Sequence, residues 1–182
     1  MKKRLPSRRT AVRLATKLPV PAMKTVPNEI AVRYRAGQEQ QVREALSRFG
    51  SVRAYPVKRM IVLHRAPGSA SAAVKSALDN LQGTGDVEFV TPVLLDPDSN
   101  ARQVLTDEIV VRLKPGRTTR TLDALQAEHG IEIGSRNEFE PSQYIVKVPK
   151  PSGTQTLDVA RSIDQSDDVE FASPNYLTEV KR

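Results

Sequence analysis

The sequence predicts an α+β protein built from two tandem ferredoxin-like (βαββαβ) antiparallel sandwiches, and three observations lead there. Asn28-Glu-Ile-Ala-Val-Arg-Tyr-Arg-Ala-Gly37 lines up with Asp107-Glu-Ile-Val-Val-Arg-Leu-Lys-Pro-Gly116. Farther on, Asp86-Val-Glu-Phe-Val-Thr-Pro92 lines up with Asp168-Val-Glu-Phe-Ala-Ser-Pro174. The two offsets, 79 and 82, differ by three residues, so the whole interval between these anchors is matched and the chain reads as an internal duplication. Within each copy, strand and helix periodicities follow one another in the same order.

Each element has its own warrant. Ile30, Val32 and Tyr34 alternate with Ala31, Arg33 and Arg35, as Ile109, Val111 and Leu113 alternate with their neighbours. A period of two marks a strand with one buried face. Gly37 and Gly116 end these strands in turns. Val42, Ala45, Leu46 and Phe49 then keep helical spacing, as do Leu122, Leu125, Ala127 and His129. Gly50 and Gly130 stand where each helix should stop. Second strands are expected over 51–56 and 131–137, and third strands over 60–64 and 143–148. Short turns follow at Pro67-Gly68-Ser69 and 149–153. A second helix presents Ala73, Val74, Ala77, Leu78 and Leu81 in copy one, and Leu157, Ala160 and Ile163 in copy two. Fourth strands fall at 87–90 and 169–172. Two helices can cover only one face of a four-stranded sheet, so the other face must meet water, the second copy or a partner.

Composition narrows the function. With 28 Lys+Arg, 21 Asp+Glu and no Cys, the chain has no disulfide framework, thiolate chemistry or cysteine-built zinc site. Residues 1–28 hold eight bases and no acid, which leaves 20 bases against 21 acids in 29–182. The basic charge therefore belongs to a tail, read as disordered from its composition. Arg13 and Lys17 interrupt its apolar stretch, so it lacks a secretory core and the default compartment is the cytoplasm. No run approaches about 20 apolar residues, which excludes a membrane-spanning helix. The resulting boundaries are a tail at 1–28, domains at 29–95 and 107–176, a polar linker at 96–106 and a C-terminal segment at 177–182. The apolar run Val93, Leu94, Leu95 is expected to pack between the two domains.

The fold hosts many activities and decides none of them. An RNA-recognition domain needs stacked aromatics on its central strands, yet aromatics make up 4% of this chain. Nucleic-acid or acidic-surface binding thus survives only through the basic arm, as the alternative function. Glycine-rich binding turns are missing, since Gly37 and Gly116 are single. His64 and His129 have no acid and nucleophile close in sequence, and no G-x-S-x-G elbow occurs. The reading is of a protein that is not an enzyme and has no cofactor or metal.

The edges of the second copy carry a more specific signal. Asp107-Glu-Ile-Val-Val-Arg-Leu-Lys-Pro-Gly116, Tyr144-Ile-Val-Lys-Val-Pro149 and Asp168-Val-Glu-Phe-Ala-Ser-Pro-Asn-Tyr176 resemble the propeptide domains of subtilisin-like serine proteases. The first copy resembles them more loosely, with Ala36 for the Pro and Val93 for the Asn. The resemblance implies a stand-alone inhibitor of such a protease, with folding-chaperone activity as the family's second role. It implies docking through the open sheet face of the second domain, on two surface helices of the enzyme. It also implies an extended segment in the substrate cleft as a product mimic, here Asn175, Tyr176, Leu177, Thr178, Glu179, Val180, Lys181 and Arg182. Arg182 would fill the primary specificity pocket and Val180 a subsite two places back; a one-residue shift would put Lys181 there instead. Ser173 and Asn175 would cap protease helix N-termini, with Glu170 and Glu179 as charged alternatives. The first domain would have a supporting role.

Overall fold

The structure, a computed structural model, describes residues 23–179. Most of the basic tail, and Val180, Lys181 and Arg182, lie outside the described residues. One antiparallel sheet carries four helices. The first half contains β1 (Lys24–Tyr34), α1 (Glu39–Ser47), β2 (Gly50–Tyr55), β3 (Met60–Arg65), α2 (Ser71–Gly83) and β4 (Val87–Leu95). The second contains β5 (Arg102–Leu113), α3 (Thr119–His129), β6 (Glu132–Arg136), β7 (Gln143–Lys147), α4 (Gln155–Asp164) and β8 (Val169–Glu179). Among these elements no helix is long and apolar enough to cross a membrane.

The sheet runs β2-β3-β1-β4-β5-β7-β6, with β8 along the opposite side of β5. In the first half, α1 and α2 lay Val42, Leu46, Val74 and Leu78 on Val32, Tyr34, Ile61 and Leu63. In the second, Leu122, Leu125, Ala160 and Ile163 close over Ile109, Val111, Leu113 and Val146. Gly37 and Gly116 take φ of 86° and 82°, the left-handed turn conformation that favours glycine. Gly130 ends α3 at φ 63°, its N–H donating to Gln126 O at 2.9 Å. Gly50 is not a helix stop. It opens β2, where a Cβ would lie 2.0 Å from the His64 carbonyl oxygen, so close strand approach is what requires glycine there.

The halves join through strand extensions that shift three of the expected boundaries. Lys24, Leu95, Arg102 and Glu179 pair in succession across β1, β4, β5 and β8, as do Thr25, Leu94, Gln103 and Thr178. The disordered tail expected over 1–28 is thus already strand from Lys24. The linker expected over 96–106 shrinks to a turn at 96–101, in which Asp96 Oδ1 accepts the Asp98 and Ser99 N–H groups at 2.8 and 3.0 Å. Residues 177–179 of the expected free end belong to β8. In each case ladder pairing satisfies backbone groups that a linker or tail would leave to water. Val93 and Leu94 are buried between the halves, as their apolar character predicts.

Candidate functional site

The two halves present matching residues on the sheet face away from their helices, in very different surroundings. In the first half this face carries Ala31, Val62 and Phe89, at 0%, 6% and 2% exposure. Val93, Val104 and Leu177 cover it, the last two contributed by β5 and β8. The corresponding residues of the second half are Val110 and Ile145, paired across β5 and β7, and Phe171, which lies opposite Arg112 on β8. They remain half-buried and belong to none of the buried core clusters of the described residues. Arg33 lies over Phe89 at 5.9 Å, and Arg112 over Phe171 at 5.1 Å. Each arginine also faces the acid just before that phenylalanine, Arg33 to Glu88 at 3.6 Å and Arg112 to Glu170 at 3.9 Å. Sequence equivalents therefore occupy equivalent places, one set covered and the other open.

Ser173 stands on this open face beside Val110, its hydroxyl reaching Pro174 O at 3.4 Å. Asn175 is tied to the protein's own β5 through its side-chain nitrogen and its backbone. Its Nδ2 donates to Glu108 Oε2 at 2.8 Å, and its carbonyl accepts from Thr106 Oγ1. Lys58 of the first half donates to the same Glu108 oxygen at 2.9 Å. Burial pushes the Glu108 carboxyl up, but the Lys58 and Asn175 hydrogen bonds and the Lys58 and Lys147 charges outweigh it and hold it below the usual range.

The extended segment is likewise engaged. Tyr176 is half-buried against Leu94, Leu105 and Leu157, and burial pushes its phenol up to about 12. Leu177 packs on the covered face of the first half, and Thr178 Oγ1 donates to Gln103 Oε1 at 2.8 Å. Glu179 pairs through its backbone with Arg102. Of the eight residues 175–182 expected to run free, Asn175, Tyr176, Leu177, Thr178 and Glu179 thus belong to β8, and the other three lie outside the described residues.

One constellation was not visible in the sequence. His64 lies opposite Glu29 on one neighbouring strand and Ser51 on the other. His64 Nδ1 is 3.0 Å from Glu29 Oε1, so the histidine does have an acid and a hydroxyl beside it. However, Arg102 Nε donates to both Glu29 oxygens at 3.0 Å, and Ser51 Oγ has no hydrogen bond to the ring among the described residues. The carboxylate, 5% exposed, works as a rivet between β1 and β5. Only the register of three strands, set by pairing distant in sequence, brings these residues together. Sequence spacing held no signal for it.

No protein-family model matches the chain. It is similar to proteins named calcium-dependent protease from Nostoc sp. (strain PCC 7120) and Trichormus variabilis, at 24% and 23% identity over 143 residues. The similarity takes in 78% of this chain and 22% of each relative, so the chain spans about a fifth of their length. Among solved structures, the small subunit of acetolactate synthase from Thermotoga maritima overlaps 85% of this chain and 96% of its own, at 12% identity and a TM-score of 0.28.

Proposed function

We propose that the chain comprises two copies of one ferredoxin-like unit and inhibits a subtilisin-like serine protease by docking through the open sheet face of residues 107–176. The observation that carries this is the contrast between the two faces. Ala31, Val62 and Phe89 are covered by the protein's own β5 and β8, whereas Val110, Ile145 and Phe171 are left for another molecule. An apolar patch with Arg112 and Ser173 among its polar members has the make-up of a protein-binding surface. The similarity to a portion of proteins named as proteases supports the same reading, alongside the propeptide-like strand motifs.

The pairing of Tyr176–Glu179 with β5 sets the order of events. Face docking comes first, and the last three residues then reach the cleft, with Arg182 offered to the primary pocket. Deeper insertion would require β8 to peel away and expose Leu177. The test is titration of a panel of subtilisin-like proteases with the intact chain, an Ile145→Arg variant and a chain lacking 180–182. Saturable inhibition at about micromolar or tighter is expected of the intact chain. Ile145→Arg should weaken it at least about tenfold by burying an unpaired charge in the contact. Loss of 180–182 should weaken it without abolishing complex formation. Failure of the intact chain to bind or inhibit any enzyme of the class would overturn the proposal.

A further inference from the structure

The second feature that points to a ligand is a cleft of about 390 Å³ between the halves. Five cations line it: Arg33, Arg35 and Arg59 from the first half, Lys147 and Lys150 from the second. Three carboxylates share the lining, Glu88, Asp107 and Glu132, so two positive charges are in excess. Glu88 already takes a 2.8 Å hydrogen bond from Arg59 Nη1. Arg35, Lys147 and Lys150 have no carboxylate at ion-pair distance among the described residues. Like charges converging on one concavity repel each other and focus a positive field into it.

Arg33 forms the inner wall and is under-satisfied. Its side chain is 9% exposed, and the nearest carboxylate oxygens are 3.5 Å away on Asp107 and 3.6 Å away on Glu88. Those distances exceed the range of a good N–H···O bond. Nε and Nη1 of Arg33 and Oδ1 of Asp107 have no hydrogen-bond partner among the described residues. Buried polar groups left in this condition are costly and commonly mark a missing water or ion. The cleft is far larger than one water, whose share of liquid volume is about 30 Å³.

We propose that this cleft binds a small phosphate-type oxyanion, either inorganic phosphate or the phosphate of a monoester. The tetrahedral group carries about −1.5 to −2 charge at pH 7 and presents enough acceptor oxygens for several cations at once. Arg35, Lys147 and Lys150 would hold its charge, with Arg33 drawn toward it and its two long ion pairs relaxed. Because the cations come from both halves, the anion would clamp β1 to the β7–α4 turn.

The proposal is tested by calorimetric titration and thermal unfolding with sodium phosphate and with glycerol 3-phosphate, each against sodium chloride at equal ionic strength. The variant is Arg35→Gln combined with Lys150→Gln; both side chains are exposed, so folding should persist, and the ligand-free Tm checks that it does. Saturable binding by the parent is expected, with a Tm rise of about 5 °C at a hundredfold excess over Kd. The double variant should bind at least about tenfold more weakly. Tighter binding of the ester identifies a phosphate monoester as the ligand, and equal or weaker binding identifies free phosphate. A response no different from chloride, or equal affinity in the double variant, would overturn the assignment. Protease inhibition plays no part in this readout, so it stands or falls separately from the proposed function.

Discussion

Glu108 is the residue on which both halves depend. It accepts from Lys58, on the turn after β2, and from Asn175, on β8, while 13% of its side chain is exposed. Its carboxyl is held below the ordinary value, so the stability it contributes is present above pH of about 4.3 and is lost as pH falls through its depressed folded value. Glu108→Gln should therefore lower stability by about 1.5–3 kcal/mol at pH 7, the range for hydrogen bonds to a charged group. Denaturant unfolding from pH 7 to pH 2.5 should show the parent losing this advantage in acid, until the two curves meet. A gap that stays constant with pH would mean that shape, not charge, is what Glu108 provides. The Glu29–Arg102 pair illustrates how little of this was legible beforehand. Glu29 looked like the polar start of a strand and Arg102 like part of a linker, because partners 73 residues apart leave no mark on local periodicity.

At the scale of elements, the regions with clear period were the readable ones. The alternation in Ile30–Val32–Tyr34 and in Ile109–Val111–Leu113 located β1 and β5, and the helical spacing of Leu122 and Leu125 located α3. The strand extensions escaped for a physical reason. Register shifts between Thr25 and Ile30 and between Leu105 and Ile109 interrupt the alternation, and Pro27, Pro92 and Pro174 normally argue against a continuing strand. Tyr176–Glu179 consequently read as a loose end, although β5 holds it along its length. Two measurements check this. Amide hydrogens over Tyr176–Glu179 should exchange well below the rate of an unprotected chain. Leu177→Ala should cost about 1–2.5 kcal/mol, less than a fully buried leucine because the side chain is only partly enclosed. Exchange at the free rate together with a neutral Leu177→Ala would return the segment to the role of a dangling arm.

For the whole molecule, the asymmetry between the halves matters more than their likeness. Phe89 and Phe171 both lie under an arginine, and Asp86 and Asp168 both give a carbonyl oxygen to the residue that follows the first strand of their half. Yet β5 and β8 extend over the first half's open face, and β1 and β4 do not return the favour on Val110 and Ile145. Separating the halves should reveal the difference. A fragment covering 23–95 would expose Ala31, Met60, Val62 and Phe89, all at 6% exposure or less in the intact chain. Such a patch should bind hydrophobic dye and promote association. A fragment covering 102–182 would lose the cover of Val104, Leu105 and Leu177, but its helix-packed core of Ile109, Val111, Leu122 and Ile163 would stay whole. It should be the more soluble of the two, with a dispersed NMR spectrum and cooperative unfolding at reduced Tm. If the docking face acts as proposed, this fragment alone retains protease inhibition and the first fragment has none. Inhibition residing in residues 23–95 would move the active surface to the half whose face the protein itself conceals, and would require the halves to open before binding.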